Sequence, residues 1–117
     1  MKTIVVIDLD GTLFRRISEN YMPKGFNVVY CSTLLEALSV PASQIALLAI
    51  DPLALDEGEA ISYIESLKMR NANAGVLLCS HKEDYDAMAE ALSAGADDYI
   101  VAPYTGRMLE DHIDSML

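Results

Sequence analysis

Ile4-Val5-Val6-Ile7-Asp8-Leu9-Asp10-Gly11-Thr12 opens with four consecutive β-branched residues and closes on two acids, a glycine and a hydroxyl. The apolar run does not alternate with polar residues, so it reads as a strand buried on both faces. Leu13, Phe14, Ile17 and Tyr21 then recur at helical spacing, and Pro23 and Gly25 stop that helix. A doubly buried strand followed by an amphipathic helix is the opening unit of a parallel sheet covered by helices.

The same unit repeats down the chain. Phe26 to Cys31 reads as a second strand, and Ser32 or Thr33 caps a helix carrying Leu34, Leu35 and Leu38, closed by Pro41. Ile45 to Ile50 is a third strand ending at Asp51-Pro52. A loop through Asp56, Glu57 and Gly58 leads to a helix with Ile61, Ile64 and Leu67 on one face. After the turn-rich Asn71-Ala72-Asn73-Ala74-Gly75 comes a fourth strand, Val76 to Cys79. The segment from Asp84 to Ala94 is expected to be helical, with Tyr85, Met88, Ala89 and Leu92 inward and Gly95 as its stop. Tyr99 to Val101 is the fifth strand, and Thr105 caps a last helix with Met108, Leu109, His112, Ile113 and Met116. Five strands alternating with five helices over residues 1–117 predict one α/β domain, a doubly wound parallel sheet with right-handed crossovers.

Composition narrows the function. The 117 residues carry a formal net charge of −10, a field that repels phosphate backbones and disfavours direct nucleic-acid binding. No apolar run approaches the roughly 20 residues of a membrane span. Met1-Lys2-Thr3 leads straight into the first strand without a signal-peptide pattern, so a cytoplasmic location is expected. Cys31 and Cys79 end apolar runs and read as buried free thiols. His81 and His112 have no metal-ligand spacing with them and read as surface or helix residues.

In a parallel sheet the functional crevice lies at the carboxyl ends of the strands. The residues there are Asp8, Asp10, Cys31, Ser32, Asp51, Ser80 and Ala102. Carboxylates of Asp8, Asp10 and Asp51 gathered at one edge would repel one another, and a hard cation such as magnesium would relieve this and bring phosphate with it. One of them could then act as a nucleophile and form an aspartyl phosphate, with the Ser80 hydroxyl on a phosphate oxygen. Equally, strand-end acids face water and cap helix N-termini.

Gly95-Ala96-Asp97-Asp98-Tyr99-Ile100-Val101-Ala102-Pro103-Tyr104 resembles the block G-A-D-D-Y-[IL]-x-K-P-[FY] of response-regulator receiver domains from bacterial two-component systems. Gly25-Phe26-Asn27-Val28-Val29 followed by Glu36-Ala37-Leu38 is similar to an earlier block of that family, and the likeness covers essentially the whole chain. It implies a flavodoxin-like (CheY-like) sheet of order 2-1-3-4-5. It also implies Asp51 as phosphoacceptor, Ser80 and Tyr99 as the switch pair, and a metal held by Asp8, Asp10 and Asp51. The chain departs from the family at three points. Leu9 stands where a second adjacent acid is usual, with Asp10 one place late. Ala102 replaces the lysine before Pro103. The third-strand acid depends on the counting: forward from Leu38 selects Asp51, back from Gly58 selects Ile50.

The resemblance and its departures together imply an atypical receiver that signals by protein contacts, without enzymatic turnover, with impaired phosphorylation and weak magnesium binding. Its implied partners are a histidine kinase, an output domain or another receiver. Homodimerisation would use the face from about Asp84 onward, with Tyr104 and Met108 at its rim. Alternatives are a working receiver that takes phosphate on Asp51, or a small phosphatase. The second arises because Asp8-Leu9-Asp10-Gly11-Thr12 also resembles the D-x-D-G-T nucleophile motif of haloacid dehalogenase-like phosphatases, with Asp97-Asp98 as its later acidic motif. No lysine matches that family's third motif, since Lys82 lies only two residues past Ser80.

Overall fold

In the computed structural model five strands, β1 (Thr3–Ile7), β2 (Asn27–Cys31), β3 (Ile45–Ile50), β4 (Gly75–Ser80) and β5 (Asp98–Val101), form one parallel sheet of order β2-β1-β3-β4-β5. The structure describes residues 2–56, 58–81 and 85–117, so Glu57, Lys82 and Asp84, named above, lie outside the described residues. Among the described residues the α-helices α1 (Thr12–Tyr21), α2 (Leu34–Leu38), α3 (Glu59–Arg70) and α4 (Tyr85–Ala94) lie between successive strands, and α5 (Gly106–Met116) follows β5.

The non-alternating strands bury both faces. On one side Ile4, Val6, Leu47, Leu77 and Ile100 meet Leu13, Ile17 and Tyr21 of α1 and Leu109 and Ile113 of α5. On the other, Val5, Ile7, Leu48, Ile50 and Leu78 meet Ala37 of α2, Tyr63, Ile64 and Leu67 of α3, and Ala91 of α4. The Tyr21 hydroxyl donates to Asp114 Oδ1 at 2.7 Å, tying α1 to α5 beside the first layer.

Two helices bury a different set of residues from their largest apolar ones. In α2 Ala37 is buried and Leu34 packs partly against the core, while Leu35 is 79% exposed and Leu38 is also exposed. A five-residue helix makes little more than one turn and directs few side chains inward. In α4 the buried residues are Met88 and Ala91, while Tyr85 is 69% exposed and Ala89 and Leu92 face solvent. Met88 is inward as expected, but Ala91 takes the second buried position in place of Tyr85 and Leu92.

The motif at residues 95–98 clamps the amino edge of the sheet. Asp97 Oδ2 accepts from Val76 N–H and from Lys68 Nζ, each at 2.8 Å, and Lys68 Nζ also donates to the Ala74 carbonyl at 2.6 Å. Gly95 sits at φ +126°, with an ideal Cβ 2.8 Å from Lys68 Cγ, so the tight turn and the close approach both require glycine.

Cys31 and Cys79 are buried free thiols. Burial, aided by Glu36, pushes the Cys31 thiol from 9.0 up to about 11. Burial, aided by Cys31, pushes the Tyr63 phenol from 10.0 up to about 12. The unfolded chain therefore gives up these protons first as the pH rises, and stability present below about pH 9 is lost as the pH climbs toward about 11. Urea midpoints are expected to fall over that window, with a shallower fall in Cys31→Ala; a flat profile to pH 11 would contradict this.

Candidate functional site

β1 and β3 are neighbours, and Ile7 lies opposite Ile50. The next residues, Asp8 and Asp51, therefore leave the sheet side by side, and Asp51 N–H donates to the Ile7 carbonyl at 2.9 Å. Both acids are buried, Asp8 at 3% and Asp51 at 1% exposure. Ile50 is a core residue packed with Ile7 and Leu78, so Asp51 is the residue at the edge.

Each acid has work inside the protein. Asp8 Oδ2 accepts from Leu13 N–H at 2.8 Å and from Phe14 N–H at 3.4 Å, capping the first turn of α1, where a carboxylate is favoured. Asp10 is exposed, and its Oδ1 accepts from Thr12 N–H at 3.0 Å. That backbone bond is the main reason its carboxyl is held below the usual range. Gly11, at φ +82°, makes the turn that lets both acids reach the helix end. Leu9, between them, is exposed and offers no oxygen.

Asp51 is held twice. Its Oδ1 accepts from Leu53 N–H at 2.9 Å, capping the 3₁₀ turn Pro52–Ala54. Its Oδ2 pairs with His81 Nδ1. His81 is exposed and follows Ser80, the last residue of β4. Ser80 is itself buried, and its carbonyl accepts from Ala102 N–H at 2.9 Å. Tyr99, on β5, is exposed. Ala102 is half-buried and joined to Pro103 by a cis peptide bond.

These strand ends surround a cavity of about 230 Å³, lined among others by Asp8, Asp10, Arg16, His81, Ala102 and Tyr104. The Tyr104 phenol is pushed up to about 12, chiefly by burial, with the Arg16 charge acting in the opposite sense. Two side chains to which the sequence reading gave no role at the acid edge, His81 and Arg16, thus line it. His81 could have been found: the strand-end rule that selects Ser80 also reaches the next residue. Arg16 lies on an exposed helical position with no such signal. His112 is placed elsewhere, pairing with Asp98 Oδ2 at 2.8 Å between α5 and β5.

Magnesium demands a near-octahedral oxygen shell at about 2.0–2.1 Å. The residues present do not fit that shell as they stand. Asp51 is committed to Leu53 and His81, Asp8 to the α1 turn, and position 9 is leucine. Among the described residues no three His, Cys, Asp or Glu side chains form a metal-holding group. The acid pair of the phosphatase-like motif is not completed either. Asp97 and Asp98 lie at the start of β5, on the opposite edge of the sheet from Asp8.

No family model matches the chain. It is similar to the KDP operon transcriptional regulatory protein KdpE of Escherichia coli strain K12, at 29% identity over 104 residues, 89% of this chain and 46% of that protein. It is also similar to the transcriptional regulatory protein CpxR of the same strain, at 26% identity over 117 residues, all of this chain and 50% of that protein. The chain spans about half the length of the curated relatives it matches. Among solved structures, a response regulator receiver domain protein (CheY-like) from Methanospirillum hungatei JF-1 matches with a TM-score of 0.82 at 21% identity, covering 98% of this chain and 92% of that one. The sheet order, the paired acids at its carboxyl edge and these likenesses agree: this chain has the receiver-domain fold of response regulators and is similar in sequence to the regulators KdpE and CpxR.

Proposed function

We propose that the chain is a receiver-type signalling module of the cytoplasm that works through protein–protein contacts, with an output that does not depend on phosphoryl transfer to Asp51. The observation that carries this reading is the state of Asp51: buried, with Oδ1 on Leu53 N–H and Oδ2 on His81. Phosphoryl transfer works by positioning and electrostatic stabilisation, so an acceptor carboxylate must be open to the donor and to the cations that hold it. Here the acceptor is turned to internal partners, Leu9 supplies no ligand and Ala102 supplies no charge. The partner classes are a histidine kinase, an output domain or another receiver. The contact face is α4, β5 and α5, where Leu92, Tyr99 and Met108 are exposed.

The test is beryllofluoride or acetyl phosphate with magnesium, followed by amide spectra. The expected result is no change at Ser80, at Tyr99 or along α5. Large shifts there, abolished by Asp51→Asn, would show a phosphate-driven receiver and sink the proposal.

A further inference from the structure

We propose that His81 is a built-in stopper of the Asp51 pocket, a positioning residue whose imidazole stands where a cation between the two strand-end acids would have to sit. The inference rests on reading this edge as a receiver-type acceptor site, and it explains why the residues do not fit magnesium.

Asp8 and Asp51 leave adjacent strands side by side, and Asp8 and His81 both line the cavity at this edge, so an ion bridging the two acids would have to pass His81. His81 lines that cavity and closes onto Asp51 Oδ2. Asp10 lines the same cavity, so His81 stands between the third-strand acid and the displaced acid of the first turn. The imidazole is not carried on a loose arm. β4 pairs with β5 up to Ser80 and Val101, and His81 is the very next residue.

A buried carboxylate is costly unless it is paired and hydrogen-bonded. Leu53 N–H satisfies one oxygen of Asp51, and His81 satisfies the other. Both oxygens of Asp51 thereby have partners from within, and the drive to recruit a cation is reduced. Arg16, which lines the same cavity, adds a positive charge against metal entry. Truncating His81 leaves Asp51 buried with one oxygen unpaired, and a divalent ion is then the available partner. Asparagine carries an amide nitrogen at the same bond separation from the backbone as Nδ1, so it keeps the stopper's hydrogen bond without its ring.

Magnesium titration of the wild type, His81→Ala, His81→Ser and His81→Asn, followed by amide shifts of Asp8 and Asp51, tests this. His81→Ala and His81→Ser are expected to bind magnesium at least about tenfold more tightly than wild type, the scale of one charge-assisted hydrogen bond. His81→Asn is expected to stay at the wild-type affinity. Unchanged affinity in the two truncations, or equal tightening in His81→Asn, would overturn the proposal. His81 is exposed, so its truncation opens no core cavity, and a melting curve of each variant confirms the fold. The titration uses metal alone, so its failure is separate from that of the signalling reading. A wild-type response to beryllofluoride sinks that reading, whereas a silent wild type with no gain in the truncations sinks only the stopper.

Discussion

Ile113→Ala is expected to lower the unfolding free energy by about 2–5 kcal/mol, the range for truncating a fully buried aliphatic side chain. Ile113 is 0% exposed and lies in one layer with Leu109, Ile17, Tyr21, Leu77 and Ile100. Its loss removes apolar contacts from α1, α5 and the sheet together, and close packing leaves few ways for neighbours to collapse into the space. Leu35→Ala is the matched control. It removes an isomeric apolar side chain from a helix too, but Leu35 is 79% exposed, so the change is expected to stay within about 0.5 kcal/mol. Denaturant unfolding of both variants measures the contrast. Equal losses would mean that α2 packs on the sheet through Leu35 and that the layer assignment is wrong.

That contrast marks the boundary of what the amino-acid pattern makes legible. Strands buried on both faces write themselves as runs such as Ile4–Ile7 and Ile45–Ile50, because nearly every position is apolar, and their order along the chain dictates a parallel sheet. Long helices are legible from one stripe, as Leu13, Ile17 and Tyr21 are in α1. Short or alanine-faced helices are not. Ala37 and Ala91 bury fully, yet they carry less hydrophobic weight than Leu35 or Tyr85 beside them. Size then picks out Leu35 and Tyr85, which face solvent, alongside Leu34 and Met88, which do not.

The site divides in the same way. The strand-end rule finds Asp8, Asp51 and Ser80, since a parallel sheet forces those residues to one edge. Spacing leaves the third-strand acid open by one residue; in the structure Ile50 lies opposite Ile7 in the core and Asp51 follows it at the sheet edge. The pairing of His81 with Asp51 is not legible, because which way a side chain turns on leaving a strand depends on the neighbouring loop. Nor does spacing show that Asp8 and Asp10 are spent on the α1 turn, although capping was one of the two roles such acids can take.

The second large effect concerns the empty charge at position 102. In a receiver-type pocket a lysine there would meet a phosphoryl oxygen through a charge-assisted bond, worth about 1.5–3 kcal/mol, roughly one to two orders of magnitude in an equilibrium constant. Ala102 faces the same cavity as Asp8 and His81, and its N–H is tied to the Ser80 carbonyl, so a longer side chain at this position starts from a fixed backbone. Ala102→Lys alone is expected to remain silent, because the added ammonium finds Asp51 already held by Leu53 and His81. In a His81→Ala background the same substitution meets an open carboxylate. The double variant is expected to bind beryllofluoride with magnesium about 10–100-fold more tightly than His81→Ala alone, and to show amide shifts at Ser80, Tyr99 and along α5. Asp51→Asn should abolish them. Should the double variant bind no better than His81→Ala, charge at position 102 is not what the pocket lacks, and the missing oxygen at Leu9 becomes the group to restore, by Leu9→Asp in the same background.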